Sequence, residues 1–327
     1  MVNKAELAVV IPAYKASFLQ ETLNSLARQS DKRFNVYIGN DAGPPGIDQI
    51  IQGFKKILNI KYVRFKENVG GHDLVAQWER CVELSGVENY IWILPDDDTV
   101  EKDCVGLFLK EIEVRPKLDV YRFNTNYIDD KGQILNVNPI HPAHESAYAY
   151  VEARLKRQRN TSLGEHIFSR EIYNRVGFRH FPLAWCADDV AWIEFGQKNG
   201  IKLISDSSNV ANTMVNIRVS AENISSIGKD YSIPKLNASL EFLLFILEMN
   251  NKKLLKPIPG FKELSYEWFW GQMEQLHTSV RLMDLYKLMP KIKQTWGDTH
   301  GYYYLLRLFF RQKQGLVKIK KFIRESF

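Results

Sequence analysis

Cysteine is scarce in this sequence. Among 327 residues there are three, Cys81, Cys104 and Cys186, with no Cys-x-x-Cys spacing. An odd, scattered set implies neither a disulfide framework nor a zinc knuckle. Cys81 shares a helical face with Trp78 and Val82, so core packing is expected of it. Long apolar runs are missing too. The richest, Leu240–Met249, has about half the length needed to span a bilayer. Met1–Leu7 is polar, and Ala8–Ile11 is far too short for the apolar part of a secretion leader. A cytoplasmic location is expected. The larger part of the chain also lacks excess basic charge. Up to Gly228 there are 27 basic and 29 acidic residues, whereas Lys229–Phe327 holds 17 basic and 9 acidic. A nucleic-acid-binding protein usually carries its basic charge on the main domain, so no nucleic-acid partner is expected.

The composition that remains is that of a globular protein, 45% hydrophobic and 25% charged. Its length suits one large domain with an appendage. Leu7–Pro12 is a continuous apolar run, as in a strand buried on both faces. Ser17 and Gln20 read as a capping box opening a helix whose Leu19, Leu23 and Leu26 share one face. Strands at 34–39, 60–65 and 90–94 then alternate with helices at 50–58 and 73–85. That alternation predicts a mostly parallel sheet with helices on both faces. In such sheets ligands bind beyond the carboxyl ends of the strands. The clusters Ala13-Tyr14-Lys15, Asn40-Asp41 and Asp96-Asp97-Asp98 all fall there and are expected to converge. Beyond about residue 230 the pattern turns helical. The boundaries drawn are 1–228 for the α/β domain and 229–327 for a basic helical region.

Three adjacent carboxylates after a buried strand repel one another unless a cation compensates. Two readings stand: a solvated turn or helix cap, or a site for Mn²⁺ or Mg²⁺, which bridge carboxylates to substrate phosphates. Asp41 either binds a nucleotide base or ribose, or closes an Asx-turn over Ala42–Pro45. Asp188 and Asp189 open a helix. Capping explains at most one of them, and the other is a candidate general base.

The ordered set LAVVIPAYK, YIGNDAG, ENVGG, YIWILPDDD and CADDVAW resembles the family 2 glycosyltransferases of GT-A fold, over roughly Leu7 to Ser225. The resemblance implies inverting transfer of a sugar from a nucleotide-diphosphate donor to a saccharide or lipid-linked hydroxyl, as in surface polysaccharide or glycolipid synthesis. It implies that Pro12, Ala13 and Tyr14 line the nucleoside pocket, Asp41 holds the base, and Asn68 and Gly70 lie near the nucleotide. Asp96 would touch ribose. Asp98 would bind the metal, with Asp97 able to share that role, and Asp189 matches the catalytic base beside Asp188. Many members carry a histidine metal ligand in Arg-x-His. Here the place is taken by Arg218-Val219-Ser220, which implies weaker metal binding or metal arriving with the donor.

Other signals rank lower. His141-Pro-Ala-His144 has no evident third zinc ligand, and Pro142 prevents a regular helix. A nucleotidyltransferase would carry a Gly-rich basic loop after the first strand, and Ala13-Tyr14-Lys15-Ala16 is not one. A non-catalytic scaffold would not need intact acidic clusters. Tyr302–Phe327 interleaves seven basic residues with Leu, Ile and Phe against one acidic residue. That pattern fits either an anionic membrane surface on the cytoplasmic side or a helix packed on its own domain.

Overall fold

The computed structural model describes residues 5–114, 117–206, 208–223, 232–276 and 282–297. The chain forms two compact units that divide after Ser226. In chain order the first unit runs β1 (Leu7–Ala13), α1 (Leu19–Ala27), β2 (Phe34–Asn40), α2 (Ile47–Phe54), β3 (Ile60–Arg64), α3 (Leu74–Val82), β4 (Tyr90–Ile93), β5 (Thr99–Val100) and α4 (Cys104–Val114). It continues with β6 (Val120–Arg122), β7 (Asn124–Ile128), β8 (Ile134–Val137), β9 (His144–Glu145), α5 (Ala147–Leu155), β10 (His166–Ser169), α6 (Arg170–Val176), α7 (Ala187–Phe195), β11 (Ile201–Leu203) and β12 (Met214–Arg218).

The main sheet has eight strands in the order β3-β2-β1-β4-β10-β6-β11-β9. Its first four are parallel, as the alternation predicts. β10 then runs antiparallel to both β4 and β6. A second sheet, β5-β12-β7-β8, was not visible in the sequence. The core joins Val9, Ile11, Leu23, Leu26, Trp92 and Phe108. Each such side chain, fully buried, contributes roughly 1.5–3 kcal/mol.

Local details depart from the sequence reading. The capping box at α1 does not form. Phe18 is the N-cap without a side-chain bond, and Ser17 Oγ instead donates to Glu222 at 3.1 Å. Burial of Leu19, Leu23 and Leu26 holds the helix without a cap. α2 starts at Ile47, directly after Gly46 at φ +111°, a conformation that favours glycine. α3 begins as expected, with Asp73 accepting the Ala76 N–H at 3.0 Å.

The second unit contains α8 (Ser232–Asn251), α9 (Phe261–Leu276) and α10 (Leu282–Trp296). Phe242 meets Trp268, with ring centroids 5.3 Å apart, and Tyr266 stacks on Trp296 at 4.5 Å. Trp296 Nε1 donates to Ser265 Oγ at 2.8 Å. Among the described residues no helix is long and apolar enough to cross a membrane. The basic stretch Tyr302–Phe327 lies outside the described residues.

Candidate active site

Because β1, β2 and β4 are parallel, their carboxyl ends meet at one edge of the sheet. The Asp41 N–H donates to the Ala13 carbonyl at 2.8 Å, tying the first two ends together. The Tyr14 and Lys15 N–H groups both donate to Asp96 Oδ2 at 2.7 Å, tying the first to the third. The three sequence clusters do converge. Ala13 is fully buried and supplies the strand end rather than open surface, whereas Tyr14 is 49% exposed and Pro12 half-buried.

The Asp41 carboxylate does not close an Asx-turn. Its Oδ1 accepts the Val69 N–H at 2.7 Å, its Oδ2 accepts the Gly70 N–H at 2.8 Å, and Arg80 pairs with it. The turn belongs to Asn40, whose Oδ1 accepts the Gly43 N–H at 2.8 Å. Only glycine allows position 70 to approach so closely, since a Cβ there would come within 2.6 Å of Asp41 Oδ2. Asn68 braces the same loop by accepting the Gly71 N–H at 2.7 Å. Arg80, which sequence reasoning missed, lies over the Phe65 ring at 3.9 Å.

Asp96, Asp97 and Asp98 are buried, at 4%, 5% and 3% exposure, which rules out a solvated turn. They cap no helix, because α4 starts at Cys104. Burial and the neighbouring Asp97 charge push the Asp96 carboxyl up, against the Lys15 ammonium and the Tyr14 and Lys15 amides. Burial and Asp97 raise Asp98 well above the usual carboxylate range. The nearby cation is Lys15, whose Nζ bonds Asp97 and lies 3.8 Å from Asp96 Oδ1. Burial pulls the Lys15 pKa down, but Asp96 and Asp97 outweigh it and raise it. Asp98 Oδ1 accepts the Arg218 N–H at 2.9 Å. The buried Arg218 guanidinium donates to the carbonyls of Asp97 at 2.9 Å and Asp129 at 2.7 Å, and to Glu21 at 2.6 Å. Ser220 donates to Asn223 Oδ1 at 2.9 Å.

Among the described residues no three His, Cys, Asp or Glu groups converge as a metal cage. Asp98 Oδ2, however, accepts no hydrogen bond from any described group, and the carboxylate is buried beside two others. Hard oxygen donors of this kind suit Mg²⁺ or Mn²⁺ held by one or two carboxylates plus substrate phosphates and water.

The acidic pair opens α7, but neither member caps it. The N-cap is Cys186 at φ +63°, with no side-chain bond. Leu183, Ala184 and Cys186 all have positive φ, so the backbone entering the pair is strained. Carboxylates in a first turn are favoured by the helix dipole. Asp189 is buried and fully engaged. Arg154 Nε donates to Oδ1 at 2.7 Å and Nη2 to Oδ2 at 2.9 Å, while Tyr150 donates to Oδ1 at 2.7 Å. Asp188 is half-buried and has no side-chain donor among the described residues. Burial and the adjacent Asp189 raise its pKa. Residues 161–165 connect pair and triplet. The Tyr150 hydroxyl lies 3.2 Å from Thr161 Oγ1, Glu165 adds charge near Asp188, and a Cβ on Gly164 would lie 2.9 Å from Asp98 Oδ2. Tyr150 and Arg154 carry no motif, and their spacing of four residues on α5 is a signal that could have paired them. His141 and His144 do not join: the first lies 3.4 Å from Glu165, the second 2.7 Å from the Asn199 carbonyl.

A mixed sheet with buried carboxylates beyond its parallel strands is the GT-A arrangement of glycosyltransferases. The chain belongs to glycosyl transferase family 2, whose family model matches residues 8–181. The crystal structure of S. aureus TarS 1–349 in complex with UDP-GlcNAc aligns with a TM-score of 0.62 at 15% identity, covering 88% of this chain and 81% of that one. The longer S. aureus TarS structure aligns with a TM-score of 0.60 over 89% of this chain and 48% of that one. Chondroitin synthase of Escherichia coli is 36% identical over 94 residues, which is 28% of this chain and 13% of that protein.

Proposed function

We propose that this glycosyltransferase moves a sugar from a nucleotide-diphosphate donor to a saccharide or lipid-linked hydroxyl, with inversion at the anomeric carbon. The buried Asp96–Asp98 triplet, gathered with Asp41 at the parallel strand ends, carries this reading. The nucleoside would lie against Pro12, Tyr14, Asp41 and the Asn68–Gly70 loop, with Asp96 toward ribose. Asp98, with Asp97, would hold Mn²⁺ or Mg²⁺, which supplies charge stabilisation to the departing diphosphate.

In the transfer itself an acceptor oxygen attacks the anomeric carbon as the bond to the diphosphate oxygen breaks. The acceptor proton passes to a carboxylate of the acidic pair. The resemblance points to Asp189, but Arg154 and Tyr150 occupy both its oxygens. Asp188 has the freer oxygens and a raised proton affinity. We therefore assign proton acceptance to Asp188 and read Asp189 as the anchor that fixes the start of α7.

A nucleotidyltransferase fits less well. The amides of Tyr14 and Lys15, which would have to cradle phosphates, are spent on Asp96. The relatives favour UDP-sugars as first probes, since one was solved with UDP-GlcNAc. A role in surface polysaccharide synthesis is consistent with the chondroitin synthase likeness. The test is a panel of nucleotide sugars incubated with the protein and Mn²⁺ without acceptor. Slow release of nucleoside diphosphate from one donor class is expected, and no release from any would count against the function.

A further inference from the structure

The acidic triplet already holds a cation of the protein's own. Lys15 Nζ bonds Asp97 and accompanies Asp96. Asp96 and Asp98 also receive backbone N–H groups, from Tyr14, Lys15 and Arg218. The Asp97 carboxylate has only Lys15 among the described residues. The ammonium is steered there by Asn223, whose Oδ1 lies 3.2 Å from Nζ. Asn223 is itself held by Ser220 Oγ, and its Nδ2 donates to the Arg218 carbonyl. The segment Arg218–Asn223, in which Ser220 stands where many members of the resembled family carry a histidine, therefore orients the Lys15 ammonium through Asn223. The Lys15 backbone is pinned by its N–H to Asp96, while its side chain is 21% exposed.

A monovalent ammonium and a divalent metal cannot share these oxygens without strong repulsion. We propose that Lys15 is a tethered counter-ion that competes with divalent metal in the free protein, and that a nucleoside diphosphate draws its ammonium onto phosphate and so opens the triplet to metal. Metal and nucleotide then bind with positive coupling, each raising the affinity of the other equally. This inference rests on the reading that the triplet serves a nucleotide-diphosphate donor and a metal.

Mn²⁺ titration of the full chain by calorimetry, with and without UDP as the probe, tests it. The wild type should bind Mn²⁺ weakly alone and about tenfold or more tightly with UDP. Lys15→Gln should bind Mn²⁺ alone about tenfold more tightly than wild type, the order expected for removing one unit charge beside a dication. It should also lose most of the gain from UDP. Asn223→Ala keeps the Lys15 charge and removes the tether, together with the Asn223 bonds to Ser220 and the Arg218 carbonyl, so it should move the same way by less, which protects the test if Lys15→Gln folds poorly. Wild-type coupling to UDP with unchanged Mn²⁺ affinity in both variants would overturn the Lys15 proposal alone. No Mn²⁺ binding by any of the proteins, even with UDP bound, would overturn the metal reading and this proposal with it.

Discussion

Arg154 grips both oxygens of Asp189, Nε to Oδ1 at 2.7 Å and Nη2 to Oδ2 at 2.9 Å. Both side chains are largely buried, at 17% and 3% exposure. Removing one partner strands the other charge in a dry site, which typically costs 3–5 kcal/mol. Arg154→Ala should therefore lower unfolding free energy by about that amount in urea titrations. A loss under 1 kcal/mol would mean that the pair does not hold α7.

The same pairing sets an order of effects on catalysis. Asp188→Asn should reduce transfer by about 10²–10⁴-fold while leaving donor affinity nearly unchanged, because the base acts on the acceptor. Asp189→Asn should cost mainly stability. Steady-state rates beside nucleotide binding separate the two. If Asp189→Asn abolishes transfer in a fully folded protein and Asp188→Asn does not, the roles are reversed.

Gly70 lets the Asn68 loop close on Asp41. In Gly70→Ala the new Cβ must displace Asp41 or lift the loop, at a cost of about 1–3 kcal/mol typical of overpacking. Nucleotide affinity should fall by a comparable amount, measured by calorimetry with UDP. Unchanged affinity would place the nucleotide elsewhere.

His166 gives the fold a pH dependence. Burial, then the Arg122 charge, then His141 drive its pKa well below the ordinary 6.5, while a bond to the Ser162 carbonyl opposes them. Glu165 lies 3.9 Å away, and the ring stacks on Trp192 at 4.1 Å. The folded protein keeps this ring neutral when the unfolded chain would protonate it. Its contribution is thus complete above pH 6.5 and is lost as pH falls below 6.5, at no more than about 1.4 kcal/mol per unit. Urea denaturation at pH 7.5 and 5.5 should show this slope, reduced in His166→Phe. An equal slope in the variant would assign the effect to other groups.

The basic stretch after Tyr302 makes a prediction from sequence alone. Seven basic residues against one acidic should draw the protein to anionic vesicles at low salt, each adding about 1 kcal/mol near the surface. Sedimentation with anionic but not neutral vesicles is expected. No binding at low salt would leave the tail as packing surface.

The parallel half of the sheet was legible because β1 and β4 read as continuous apolar runs, and β2 carries Phe34, Val36, Tyr37 and Ile38 with one Asn among them. The second sheet was not. β7 and β12 interleave Asn and Thr with apolar residues, and every residue of β8 is exposed, so no pattern marks them as strands. Ser17 looked like a cap because capping is local, yet its partner Glu222 is 205 residues away. The carboxylates of the site were legible by type and position. Arg80 and Arg154 were not, nor were the pairings of Lys15 and Arg218, because these depend on contacts between distant segments.

The most direct measurement is release of nucleoside diphosphate from a nucleotide-sugar panel by wild type and by Asp98→Asn, side by side in Mn²⁺. Donor hydrolysis by the wild type, lost about 10²-fold or more in a folded Asp98→Asn, is predicted for a triplet that stabilises the departing diphosphate. Equal release by both proteins, or none from any donor by a folded wild type, would contradict it.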